Sequence, residues 1–347
     1  MRTFVLLLFP GSLLLSCTGK SGHWDEFQSR GLHGGIYDYM FFTTDSTGYL
    51  GGMERLYDVP TGTKTDKAVL YRTRNGGRTW QLVFHGRGEY VDKVRKANEK
   101  TYLGIQHYME GPVIYMSEDE KNWRLLVRFS PGDFIKDFYV YPDGELLALV
   151  RQHGRLALLR IADSIEMLKS FSRSCQNGRL TKDALYLTFV DRPASSFGLI
   201  RYDLDAGTEK RYFMPKINWF EDMFADNRGR IWIAAKETKK HKALLFRFNG
   251  YKLEEIPIDP YDRYDLESIQ VRDSLIYIQI NRRSDIGPIG VTKHLFYSLN
   301  GGKSRHKTGF PFPLYTEPAC IKPGGAYLSY MGTGRFQEFF PRNLFPD

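Results

Sequence analysis

A module of four short antiparallel strands, recurring at steps near 44 residues, predicts an all-β chain folded as a single seven-bladed β-propeller, with six blades the alternative. Three observations carry this. Strand pairs joined by polar turns repeat along the chain. Aromatic residues reach 15%, with 22 Tyr and 24 Phe, and such side chains pack well on pleated surfaces. No stretch keeps a helical period long enough to dispute the all-β assignment.

The chain opens on a segment outside that fold. Arg2 precedes the apolar run Phe4-Val5-Leu6-Leu7-Leu8-Phe9, and Leu13-Leu14-Leu15 follows. A positive residue before an apolar core too short to span a bilayer is the form of a secretory signal peptide. The run ends Leu14-Leu15-Ser16-Cys17, which resembles the lipobox of bacterial lipoproteins, with Leu15 where a small residue is often found. The resemblance implies a signal peptide over residues 1–16 and a lipidated Cys17 as the new first residue. It implies an outer-membrane or cell-surface location, with the periplasmic side also open. A plain signal peptide with an incidental cysteine is the alternative. Residues 17–22 read as a lipidated tether, the only membrane contact expected. Residues 23–347 read as the propeller domain.

Within that domain an outer hairpin recurs. Its clearest copy is Val69-Leu70-Tyr71-Arg72-Thr73, a turn over Arg74-Asn75-Gly76-Gly77-Arg78, then Thr79-Trp80. Asn-Gly between apolar runs is a strong hairpin signal, because both turn residues accept positive φ. Ser117-Glu118-Asp119 and Ser298-Leu299-Asn300-Gly301-Gly302 open similar turns. These segments resemble the Asp-box, or BNR, repeat of sialidases and related propellers, Ser/Thr-x-Asp-x-Gly-x-Thr-Trp. Thr73, Asn75, Gly77 and Trp80 fit with Asn for Asp. Ser117 and Asp119 fit, but Lys121 replaces Gly. Ser298, Asn300 and Gly302 fit, but Arg305 replaces Trp. The resemblance implies that these are structural turn residues on the face away from any ligand site.

An inner hairpin alternates with the outer one: Phe138 to Val150 and Asp222 to Ala234, with similar pairs at Tyr37 to Gly51, Tyr90 to Ile105, Cys175 to Phe189, Ser268 to Ile280 and Ala319 to Tyr330. Seven inner hairpins suggest seven blades. The last outer hairpin lacks a strand after Phe336 to Phe340, and Trp24-Asp25-Glu26-Phe27 would supply it, closing the ring and removing free edges.

The formal net charge is +9, but Lys and Arg are scattered and no nucleic-acid-reading motif accompanies them, so no nucleic acid is expected. No Cys/His metal cluster, P-loop or nucleophile elbow is present. Cys175 and Cys320 form no disulfide framework by spacing, and whether they are free stays open. No cofactor is expected, although a cation at the channel mouth is an option.

In propellers of this resemblance, function sits on the face carrying the loops that lead into each innermost strand. Aligning those strands places Asp38, Asp92, Asp137 and Asp222 at one position, with Glu221 just before the last, and Glu267 and Glu317 one position earlier. Three readings follow: inter-blade hydrogen bonding, a polar-ligand or cation site, or an acid and base acting on a glycosidic bond. Like charges gathered there would raise some carboxyl pKa values unless cations compensate. Longer loops on the same face offer Tyr261, Tyr264, Arg282, Arg283 and Phe312 as partner-binding residues, and the stretch Glu54 to Lys67 as a further loop. A sialidase would need three substrate-gripping arginines and a tyrosine nucleophile supported by a glutamate. No Arg-Ile-Pro motif stands between Gly31 and Gly52, so no catalytic residue is assigned. The leading expectation is a monomeric, surface-anchored binding or assembly module for a protein partner. The alternative is a glycan-binding or glycan-active hydrolase using mouth carboxylates.

Overall fold

The structure, a computed structural model, describes residues 22–33, 35–58, 63–191, 196–214, 217, 219–226, 228–237, 242–256, 264–282, 292–301, 303, 306–308, 319–332 and 334–341. It forms seven four-stranded antiparallel sheets and no helix among those residues.

Strand β1 (His23–Gln28) stands alone at the start. Blade 1 is β2 (Gly35–Phe42), β3 (Gly48–Asp58), β4 (Thr63–Thr73) and β5 (Gln81–Arg87). Blade 2 is β6 (Tyr90–Ala97), β7 (Lys100–Gln106), β8 (Val113–Ser117) and β9 (Arg124–Arg128). Blade 3 is β10 (Phe134–Val140), β11 (Leu146–Gln152), β12 (Arg155–Ile161) and β13 (Ile165–Ser170). Blade 4 is β14 (Cys175–Leu180), β15 (Ala184–Asp191), β16 (Ser196–Asp203) and β17 (Glu209–Phe213). Blade 5 is β18 (Trp219–Ala225), β19 (Ile231–Glu237), β20 (Lys242–Phe248) and β21 (Leu253–Ile256). Blade 6 is β22 (Tyr264–Arg272), β23 (Leu275–Arg282), β24 (Thr292–Ser298) and β25 (His306–Lys307). Blade 7 is β26 (Ala319–Ile321), β27 (Tyr327–Tyr330) and β28 (Arg335–Phe340), completed by β1. The predicted count of seven and the closure by the N-terminal strand are both correct: His23 pairs with Phe340 and Gln28 with Arg335.

Composition explains the radial order of strands. Second strands are apolar on both faces, as in Leu146–Val150, Leu185–Phe189 and Ile231–Ala235, because each is covered by a neighbouring blade on either side. Outermost strands such as β13 are mostly exposed. The core therefore lies between blades rather than within them. Seven buried clusters correspond to the seven seams, from Tyr49, Leu70, Leu103 and Ile105 between blades 1 and 2 to Leu50, Trp80, Leu328 and Phe336 between blades 7 and 1. Innermost strands touch in ring order, and β26 meets β2 to complete the circle.

Polar groups tie the seams on the side of the third-to-fourth-strand turns. Glu120 takes the left-handed conformation (φ 58°) that Gly76 takes in blade 1 (φ 72°). This conformation is costly for a side-chain residue. The Glu120 carboxylate accepts bonds from the Tyr49 hydroxyl, Thr101 Oγ1 (3.0 Å) and Arg72, so the departure from glycine joins blade 1 to blade 2. Lys322 Nζ donates to Glu338 (2.5 Å) and to the Gly76 carbonyl (2.9 Å), joining blade 7 to blade 1.

The stretch expected as a loop from Glu54 to Lys67 is instead an extension of the β3–β4 ladder. Arg55 pairs with Asp66 and Asp58 with Thr63, beyond the reach of β2 and β5. Ladder hydrogen bonds belong to the backbone, so a stretch of polar side chains can extend a hairpin while apolar periodicity reads it as a loop.

Candidate functional site

Loops joining second to third strands, and those leading into each innermost strand, share one face of the ring, here called the mouth. Near the mouth the innermost strands share a device that period-2 reading overlooks. The ladder to the second strand slips by one residue at Tyr37/Tyr39, Val91/Lys93, Ile135/Asp137, Phe220/Asp222 and Leu266/Ser268, and likewise between Cys175 and Gly178 in blade 4. Each slip is a β-bulge, which re-aims side chains at the end of a strand.

The bulges correct the sequence alignment. The inserted residues are Asp38, Asp92, Lys136, Glu221 and Glu267, while Asp137 and Asp222 come one position later, level with Tyr39, Lys93 and Ser268. The four aspartates therefore do not share one position, and a lysine occupies the acidic position in blade 3.

Nor do they share one environment. Asp137 is fully buried and accepts from the Phe138 amide (3.0 Å), from Arg95 Nη2 of blade 2 (2.9 Å) and from the Leu180 amide of blade 4 (2.9 Å). Burial alone would raise its pKa. Arg95, Lys93, Arg179 and the Leu180 amide outweigh burial and hold it below the usual carboxylate range. Asp222 accepts from the Met223 amide (2.7 Å) and lies 3.7 Å from Arg179 Nη2. Asp92 accepts from Gln106 Nε2 (3.1 Å). Asp38 is exposed, and its carboxyl is pushed up by desolvation and then by Asp92.

Arginines missed in the sequence reading organise this wall. Arg95 donates to the Phe138 carbonyl (3.3 Å) as well as to Asp137. Arg179 donates to the equivalent Met223 carbonyl (2.7 Å) while facing Asp222. Tyr39 does the same from blade 1 to the Val94 carbonyl (3.1 Å). The signal was present: each arginine precedes its aspartate by about one blade period, 42 residues for Arg95 and Asp137. The mouth is thus a mixed-charge ring, not a ring of carboxylates.

A small polar cleft opens where blades 3, 4 and 5 meet, lined by Lys136, Asn177, Gly178, Arg179, Glu221, Asp222 and Met223, with about 130 Å³ of free space. Beside it, Lys136 Nζ lies 6.0 Å from the Phe134 ring centre, and Phe134 meets Tyr108 edge-on at 5.1 Å. Tyr108 and Met109 are exposed, Met109 by 81%.

The turn residues behave as caps. Thr73 Oγ1 accepts from the Gly77 amide (2.9 Å), and Asn75 Oδ1 accepts from the Thr79 amide (2.9 Å), with Trp80 buried behind them. Ser117 Oγ accepts from the Glu120 amide (2.8 Å). Asp119 accepts from the Lys121 and Asn122 amides, which hold its carboxyl well below the usual range. Ser298 Oγ lies 3.0 Å from Asn300 Oδ1.

A tyrosine–glutamate pair does exist: the Tyr71 hydroxyl donates to Glu54. Tyr71 is fully buried, with Tyr37 packed edge-on at 5.9 Å, and burial followed by Glu54 pushes its phenol far up. Sealed in this way, Tyr71 cannot reach a substrate.

Cys17, Tyr261, Arg283, Gly302, Phe312 and Glu317 lie outside the described residues. Tyr264, Glu267 and Arg282 are described only through their backbones, at the start of β22, in its bulge and at the end of β23. Cys175 and Cys320 are free and buried. Among the described residues no group of three or more His, Cys, Asp or Glu could hold a metal ion.

No family model matches the chain, and no curated protein matches its sequence. Solved structures match its fold. YCF48 bound to D1 peptide is 12% identical, with a TM-score of 0.62, over 91% of this chain and 94% of that one. The β-propeller domain of the Trilobed protease from Pyrococcus furiosus is 15% identical, with a TM-score of 0.54, over 88% and 95%. The GH74 xyloglucanase from Xanthomonas campestris is 14% identical, with a TM-score of 0.54, over 91% of this chain and 53% of that one. At such identities the likeness is one of fold, and these folds serve both protein binding and catalysis.

Proposed function

We propose that the chain is a binding module whose mouth face takes a segment of a protein partner. The cleft size carries this reading. Pockets that enclose a drug-sized ligand span roughly 300–1,000 Å³, whereas about 130 Å³ admits little more than one side chain. Exposed Tyr108, Met109, Ile36 and Trp219 at mouth-side strand ends and loops add apolar surface to the same face. The finer assignments belong to the same proposal: export under residues 1–16, lipidation at Cys17, a tether over 17–22 and Asp-box character of the three turns.

A second reading has one observation in its favour. Desolvation, and after it the neighbouring Asp92, push the Asp38 carboxyl up, and a raised carboxyl beside a second one is what the general acid of a glycan hydrolase requires.

One experiment separates them. The full chain in mild detergent is used to isolate and identify a partner, and the same preparation is assayed on a panel of chromogenic glycosides. The protein-binding reading expects a stoichiometric partner whose retention falls at least tenfold in Tyr108→Ala or Met109→Ala, and not in Met167→Ala on the outer strand β13. Turnover of a glycoside that vanishes in Asp38→Asn would overturn it.

A further inference from the structure

We infer that the mouth cleft is a carboxylate receptor: it seats an Asp or Glu side chain of an extended partner peptide on Lys136 and Arg179, with an adjacent apolar residue lying on Tyr108 and Met109. This inference rests on the protein-binding reading of the mouth and specifies the chemistry of its ligand.

The argument starts from charge pairing. Most cations of the wall already have anions. Arg95 has Asp137, Arg179 has Asp222, and Lys93 lies 4.0 Å from Asp92. Lys136 occupies the bulge position that is acidic in blades 1, 2, 5 and 6. Among the described residues no carboxylate lies within ion-pair distance of its ammonium, whose close contact is the face of Phe134. It is half-buried, and desolvation, followed by the nearby Arg151 and Arg179, lowers its pKa, with Asp92 opposing them. A desolvated ammonium facing other cations is stabilised by a carboxylate in hydrogen-bonding reach.

Arg179 is fixed for that task. Its Nε is committed to the Met223 carbonyl, and its Nη2 is 3.7 Å from Asp222, longer than a hydrogen bond. Asn177 is exposed on the same wall and can donate its side-chain amide. The far wall limits the fit. Glu221 repels an incoming anion in part, although it is engaged by a neighbour of its own.

The apolar half of the ligand follows from continuity. The Phe134 ring lies between Lys136 of the cleft and Tyr108, so the exposed Tyr108, followed in the chain by the exposed Met109, stands one ring away from the cleft's ammonium.

The test uses the full chain in mild detergent and an array of random heptapeptides, each acidic peptide printed beside its Asp→Asn or Glu→Gln counterpart. A polygalacturonate spot serves as an acidic glycan. The expected result is retention of peptides with an acid next to an apolar residue, at least tenfold above their amide counterparts. Lys136→Gln, with an unchanged thermal midpoint, should abolish that discrimination, and Glu221→Gln should strengthen acidic binding. If peptides are retained but show no acid preference, or keep it in Lys136→Gln, the carboxylate inference is overturned while protein binding stands. If no peptide is retained, or only polygalacturonate is, the protein-binding reading itself is overturned.

Discussion

At the scale of single residues, Asp137 shows how a charge can be both buried and stable. It joins three consecutive blades through Arg95, its own strand and the Leu180 amide. Removing one partner of a buried ion pair typically costs about 3–5 kcal/mol, because the other is left without compensation. Arg95 is partly exposed, so Asp137→Asn should cost roughly 2–4 kcal/mol in urea unfolding at pH 7. The pH dependence has a definite sign. The folded-state carboxyl lies below its ordinary value of 3.8. Its contribution is therefore complete above that value and is lost as pH falls through the lower folded value. The gap between wild type and Asp137→Asn should thus narrow between pH 5 and pH 2, read from urea midpoints. An unchanged gap would show that the carboxylate is not ionised in the fold.

At the scale of strands and turns, legibility depended on period. Alternating apolar residues and short polar turns placed all seven inner hairpins, because both signals are local. Bulges are not local in this sense: one inserted residue shifts the two-residue period without changing its appearance. That is why Asp38 and Asp137 looked equivalent, and why Lys136 and Arg179 escaped notice. The Glu120 position escaped for a related reason. Its left-handed backbone is compensated by Tyr49 and Thr101, which are distant in sequence. The closing strand was legible because an outer hairpin visibly lacked a member. Its energetics can be checked. Phe27 is half-buried, stacks on Phe336 at 5.7 Å and lies under Arg78. Phe27→Ala should cost about 1–3 kcal/mol, below the full-burial range. Met167→Ala on β13, where the side chain is 58% exposed, should stay within about 0.5 kcal/mol. Equal urea midpoints for the two variants would mean that β1 adds no more than an outer strand.

At the scale of the whole molecule, the ring has no hub. Each blade packs against its two neighbours, so a weakened seam is felt first by the blades that share it. The two buried thiols report on this separately: Cys175 in blade 4, and Cys320 in blade 7 beside the closing seam. Burial pushes Cys320 up to about 12 and raises Cys175 as well. Neither is a thiolate near neutral pH, and thiolate is the reactive form. In the Cys17→Ser chain, a thiol reagent at pH 7.5 should leave both unlabelled until the fold opens. Adding Phe27→Ala should hasten Cys320 over Cys175, resolved by peptide mass spectrometry. Equal acceleration would mean that the ring opens as a whole.

The stitching of β1 onto β28 also sets a direction. His23 lies opposite Phe340, at the end of blade 7 where the other blades make their third-to-fourth-strand turns, away from the mouth. The anchor proposed at Cys17 would therefore pull from beneath the disc. Lys136, Arg179, Tyr108 and Met109 would then look outward from any support like the upper side of a plate on a stalk, and a visitor could reach them without approaching the support itself.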